Sequence, residues 1–110
     1  MSVAFISPIA RLNDELRRTF SGGKIMMTAG INALPDDAKA KVLSAVRSFN
    51  DFTEDNDPHN EHDFGSIAVN GEKCFWKIDC YDKSMEYGSE NPADPAVTTR
   101  VLTIMLASEY

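Results

Sequence analysis

The chain has two histidines, His59 and His62, and both lie in the stretch DFTEDNDPHNEHDFG (residues 51–65). Asp51, Glu54, Asp55, Asp57, Glu61 and Asp63 share that stretch, and no basic residue does. Imidazole and carboxylate donors so close together suit Mn²⁺, Fe²⁺, Ni²⁺ or Zn²⁺ better than Ca²⁺. The candidate ligands are Asp57, His59, Glu61, His62 and Asp63, with Asp79 brought in from further along the chain. An EF-hand does not fit, because no starting Asp is followed by both the glycine and the glutamate that the calcium loop needs. The zinc-protease pattern HExxH is absent as well. The alternative is a polar loop built on Asx-turns, which segments rich in Asn, Asp and Pro form readily. The expectation is no cofactor unless these donors take a divalent metal.

A second chemistry depends on strand register. HDFGSIAV and EKCFWKIDCY flank Asn70-Gly71, the dipeptide most favoured in a two-residue type I′ hairpin turn. Such a turn sets Gly65 opposite Trp76 and His62 opposite Asp79. A carboxylate that orients an imidazole is the core of a general-base dyad, and Lys77 and Tyr81 project from the same face. No nucleophile accompanies the pair. There is no GxSxG elbow, and Ser66 lies roughly 13 Å from His62 along the strand. The alternative is a cross-strand ion pair that stabilises the sheet by about 0.2–1 kcal/mol.

A third feature is Thr98, Thr99 and Arg100 near the start of the last expected helix, where free N–H groups attract anions. Asp94 occupies the capping position there, and no glycine-rich phosphate loop precedes it. Nucleotide binding is not expected. Tyr87, Ser89 and Asn91 fall in a turn-rich loop, where turn chemistry and partner contact are equally compatible with the residue types.

The elements that must position these groups follow from periodicity. Ser7-Pro8 marks a helix start, and Ile9, Leu12, Leu16 and Phe20 recur on one helical face. Gly22-Gly23 is expected to end that helix. KIMMTAGI (24–31) predicts a strand. Pro35 to Ser48 predicts a second helix, with Asp36 and Asp37 at the positive end of its dipole. In the hairpin, Val69, Ile67, Gly65, Cys74, Trp76, Ile78 and Cys80 form the core face. Phe64, Phe75 and Tyr81 lie on the other face, which is half polar and half aromatic. Asp94-Pro95 is expected to open a last helix running to about Ser108, with Val97, Val101, Ile104 and Met105 as its stripe. The fold class is therefore α+β. One domain over residues 1–110 has the order α-β-α-β-β-α, with a mainly antiparallel three-stranded sheet and helices packed on the Trp76 face. An alternative lays the last helix on the aromatic face, over Phe64, Phe75 and Tyr81.

Composition bounds the function. The chain has 110 residues, enough for one ordinary domain. Its net charge is −6, and all of the excess lies in residues 51–63, since the remainder balances acids against bases. Nucleic-acid binders carry basic faces, so direct binding to nucleic acid is not expected. The start shows neither a basic region followed by an apolar core nor any run long enough to span a bilayer, so a cytoplasmic protein is expected. Cys74 and Cys80 would stand about 20 Å apart on one strand, too far for a disulfide.

The segments LNDELRR, MTAGINALP, DFTEDNDPHNEHDFG, FWKIDCYD and GSENPADPAVTTRVLTIMLASEY resemble a family of short bacterial proteins, domain of unknown function number 3768. The resemblance runs from about Ile9 to Tyr110, and NDPHNEHDFG and DPAVTTRVLTIMLASEY are its most specific parts. Members tend to occur in proteobacteria, often on plasmids and other mobile elements. The resemblance therefore implies a bacterial accessory protein, and it supplies no catalytic residue, because the family has no established reaction. The function expected from the residues is non-enzymatic binding of another protein. Asp55, Asp57, Phe64, Phe75 and Tyr81 are the contact candidates, and self-association would run through the last helix. A small metal-dependent hydrolase built on His59 and His62 is the competing expectation.

Overall fold

The computed structural model describes residues 6–110; Met1 to Phe5, on which the expectation of no leader partly rests, lie outside it. Helix α1 (Pro8–Thr19) starts as its sequence dictates. Ser7 is the cap and its Oγ accepts from the Ala10 amide at 3.0 Å, while Pro8 takes a first-turn position where no N–H is needed. The helix ends at Phe20, which turns left-handed at φ 57° and donates to the Leu16 carbonyl. Strand β1 (Lys24–Met27) follows. The expected strand thus stops at Met27, because Ala29–Asn32 closes into a single helical turn, α2. Helix α3 (Asp36–Ser48) buries Ala38, Val42 and Val46.

Strands β2 (Phe64–Val69) and β3 (Glu72–Tyr81) form the hairpin in the expected register, with Gly65 opposite Trp76. Asn70 and Gly71 have φ of 52° and 81°, the signs a type I′ turn requires. A Cβ on Gly65 would lie 2.3 Å from Trp76 Nε1. Only glycine allows the indole to lie flat across β2.

The last helix does not form. Thr99–Leu106 is strand β4, followed by a 3₁₀ turn, Ala107–Glu109. Strand β4 lies between β1 and β3, parallel to the first and antiparallel to the second, in the order β1-β4-β3-β2. The sheet is therefore four-stranded and mixed, where three mainly antiparallel strands were expected, and the element order ends in a strand. The physical reason lies in the residues. Strand β4 buries residues on both faces, Arg100, Leu102 and Ile104 beneath the helices and Val101 and Met105 on the other, so from Val101 to Leu106 only Thr103 interrupts an apolar run. That run matches a helical stripe by accident, whereas the β-branched Thr99, Val101, Thr103 and Ile104 fit a pleated sheet. Asp94-Pro95 opens a turn instead: Asp94 Oδ1 accepts from the Ala96 amide and the Asp94 carbonyl from Val97.

The core joins Leu16, Ile31, Val42 and Val46 from the helices to Cys74, Trp76, Ile78, Leu102 and Ile104 from the sheet. All of these sheet residues alternate onto one face, so α1, α2 and α3 cover the same side. The shortest dimension of the molecule is 22 Å, the thickness of one helical layer, about 10–12 Å across, on one sheet. No helix is long and apolar enough to cross a membrane among the described residues.

Candidate functional site

Helix α1 buries an unexpected face. Asn13, Asp14 and Arg17 are 1%, 6% and 0% exposed. With Ala10, they recur at the three- and four-residue spacing of a helical face. This polar stripe fastens three parts of the chain. Arg17 Nη1 donates to the Val46 and Arg47 carbonyls at 3.0 and 3.3 Å, neutralising the negative end of α3. Its Nη2 donates to Asp14 Oδ1 at 3.0 Å, and its guanidinium lies 5.1 and 5.5 Å from the Trp76 and Phe52 ring centroids. Asn13 Nδ2 donates to the Glu61 carbonyl at 2.9 Å, and Asn13 Oδ1 accepts from Arg100 Nε at 2.9 Å.

The 51–63 segment folds onto that stripe. Asp57 is buried, and its Oδ1 accepts from the Glu61 and His62 amides at 3.1 and 3.2 Å. His62 is held left-handed at φ 54°. Its ring stacks on Phe52 with centroids 3.9 Å apart and planes 2° from parallel. Nδ1 lies 3.0 Å from both Asp14 oxygens and, since an ionised carboxylate only accepts, donates to them. Nε2 lies 3.6 Å from Asp57 Oδ2. His62 is thus seated between two buried carboxylates.

This differs from the dyad expected with Asp79. Strand β2 begins at Phe64, so His62 precedes the ladder and swings toward α1. The ladder's last cross-strand bond before the loop is Ile78 N–H to the Asp63 carbonyl. Asp79 lies on the opposite sheet face and pairs with Lys77 at 2.7 Å. That bond raises the Lys77 pKa above its ordinary value. Both side chains are more than a third exposed, so the pair adds little stability.

The six proposed metal donors are therefore distributed rather than gathered. Asp57 and His62 are joined, His59 is exposed, Glu61 and Asp63 are half-buried, and Asp79 is on the other face. Burial pushes the Asp63 carboxyl up from its usual range. Among the described residues no three His, Cys, Asp or Glu side chains converge as a metal cage would. No hydroxyl or thiol is hydrogen-bonded to His62 among them either. The arrangement does structural work: it pins the acidic segment to α1 and the core. Sequence reasoning missed Asn13, Asp14, Arg17 and Phe52. Asn13, Asp14 and Arg17 have the helical period of a buried face without its apolar character.

Of the contact candidates, Asp55 is exposed and Asp57 is withdrawn into the interior. Phe64, Phe75 and Tyr81 are half-buried on the sheet face opposite the helices. Tyr110 folds back there, edge-on to Phe64 and Phe75 at 6.0 and 5.4 Å. The alternative arrangement lays the last helix on this face; that segment is strand β4 instead, and the chain end with Tyr110 reaches those two rings. Met26, paired with Thr103 in β4, joins the same face and is 55% exposed.

Fold and site together define a small α+β domain with helices on one side of a mixed four-stranded sheet and an aromatic surface on the other. A family profile described as "Protein of unknown function (DUF3768)" matches residues 27–109, and the chain belongs to that family. The match begins after α1, so the helix carrying Asn13, Asp14 and Arg17 lies outside the matched residues. No curated protein matches the chain, and no solved structure does.

Proposed function

We propose that the chain is a non-enzymatic accessory protein that binds another protein on the sheet face opposite its helices. The observation that carries this reading is the one-sided placement of the helices. They leave Phe64, Phe75, Tyr81, Met26 and Tyr110 on a face that contributes nothing to the Trp76 core. Aromatic and methionine side chains are enriched at protein interfaces, the aromatics because they bury large areas with few rotatable bonds and methionine because it adapts to irregular surfaces. The Lys77–Asp79 pair within this face supplies polar register. Exposed Glu54 and Asp55, in the segment that carries the net charge, favour a partner with a basic patch and speed its approach at low salt. His62 and its two carboxylates act in this reading as a clip for that segment.

The test is site-specific photo-crosslinking in the cell, with the reactive residue at position 110 or, as a control, at exposed Lys41 on α3. One protein species crosslinked from position 110 and absent from position 41 supports the proposal. The same species from both positions, or none from position 110, refutes it.

A further inference from the structure

Strands β1 and β2 are the two edges of the sheet. Strand β4, the segment expected to carry self-association, is paired on both sides and offers no edge. The Ile78 N–H donates to the Asp63 carbonyl, which fixes the phase of the β2–β3 ladder. Opposed residues in an antiparallel pair alternate between bonded and non-bonded, so Gly65, Ile67 and Val69 turn their N–H and C=O groups toward β3. Phe64, Ser66 and Ala68 turn theirs outward. None of these three N–H and three C=O groups has a hydrogen-bond partner among the described residues. Natural edges are normally blocked by a charge, a proline or a bulge. Strand β2, FGSIAV, has none of these and pairs with β3 residue for residue. The other edge is different: β1 is four residues long, starts at Lys24 and leads through Thr28 into α2. Ser66 and Ala68 are exposed, and Ile67 and Val69 on the helix side are only half-buried, so apolar surface as well as backbone awaits cover along β2.

We propose that β2 pairs with β2 of a second copy of this chain, antiparallel about a two-fold axis at Ser66, joining two four-stranded sheets into one of eight. The outward residues are spaced evenly about Ser66. The axis therefore sets Ser66 opposite itself and Phe64 opposite Ala68 of the other copy, a large side chain beside a small one. Each of the three pairs exchanges two bonds, so six hydrogen bonds form and no outward group is left over. A register moved by two residues either way would set an outward residue against His62 or Asn70, both left-handed and outside the strand. No charge lies in residues 64–69, so two copies of an acidic chain meet here without opposing like charges. The pairing uses the edge of the sheet and the proposed partner uses its face, so either can fail alone.

The experiment is sedimentation equilibrium of the full chain, with amide hydrogen exchange followed by NMR in dilute and concentrated solution. A dimer is expected, together with slowed exchange at the Phe64, Ser66 and Ala68 amides that is lost on dilution. Ser66→Lys sets two lysines against each other at the axis and should weaken dimerisation more than about tenfold. Ser66 is exposed and its N–H lies outside the ladder, so the replacement leaves the fold intact. Ala68→Lys, which sets a lysine against Phe64 of the other copy, is the second variant. A chain that stays monomeric at every concentration overturns the proposal and leaves the edge to a strand of another protein. So does a dimer whose three amides exchange as fast as in the monomer, or one that a folded lysine variant leaves intact.

Discussion

Replacing Asp57 tests whether the acidic segment is a structural clip. The carboxylate accepts two backbone amides, from Glu61 and His62, and faces the His62 ring, while only 4% of the residue is exposed. In Asp57→Ala both amides lose their acceptor. A hydrogen bond to a charged group contributes about 1.5–3 kcal/mol net, and each unsatisfied buried donor costs about 1–3 kcal/mol. These figures overlap, and water entering the partly open loop recovers part of the loss, so about 2–4 kcal/mol is expected. Asp57→Asn keeps an oxygen at the same place and should lose only about 1 kcal/mol. Equilibrium urea unfolding of the three proteins measures both differences, and the slope should not change. A loss below about 0.5 kcal/mol in Asp57→Ala, the range of ordinary surface substitutions, would refute the clip. Equal losses in Ala and Asn would show that charge, rather than amide capture, is what the site needs.

The remaining predictions concern the core and pH. Gly65→Ala forces a methyl group into the Trp76 indole at 2.3 Å; it should destabilise by at least about 1–3 kcal/mol and alter the tryptophan fluorescence of the folded state. Ser66→Ala on the neighbouring exposed position should change neither. Burial raises the Asp63 pKa in the folded protein above its unfolded value. The folded state then holds the proton longer, so this group's contribution falls as pH rises through that window. Asp63→Asn should therefore raise the melting temperature at pH 7 and leave it nearly unchanged at pH 3, and thermal scans at both values check this.

The hairpin was legible because Asn70-Gly71 dictates both the turn and the register, and Gly65 then had to face Trp76. Helices α1 and α3 were legible from Ser7-Pro8 and from the Ala38, Val42, Val46 stripe. Strand β4 was not, because a strand buried on both faces loses the alternation that marks a strand. Its central position depends on β1, which is distant in sequence and parallel to it. The His62 site failed for a related reason. Strand register was extended two residues beyond the ladder, whereas the left-handed backbone at Asn60 and His62 and the capture of two amides by Asp57 redirect the chain toward α1. The partners waiting there were hidden by their polarity: Asn13, Asp14 and Arg17 occupy core positions of α1 that an apolar pattern search passes over. Arg100, expected at a helix start, sits instead in a central strand and reaches Asn13 of α1, a contact that exists only in three dimensions.

The central claim is that the sheet face opposite the helices binds a protein. The most direct measurement is affinity recovery of the position-110 crosslinked species by chains carrying Phe75→Ser with Tyr110→Ser, compared with the unaltered chain, at matched folded fraction. The account predicts that recovery is lost from the double variant while Lys41→Ser retains it, and that raising salt weakens recovery by the unaltered chain. Undiminished recovery by the double variant would contradict it.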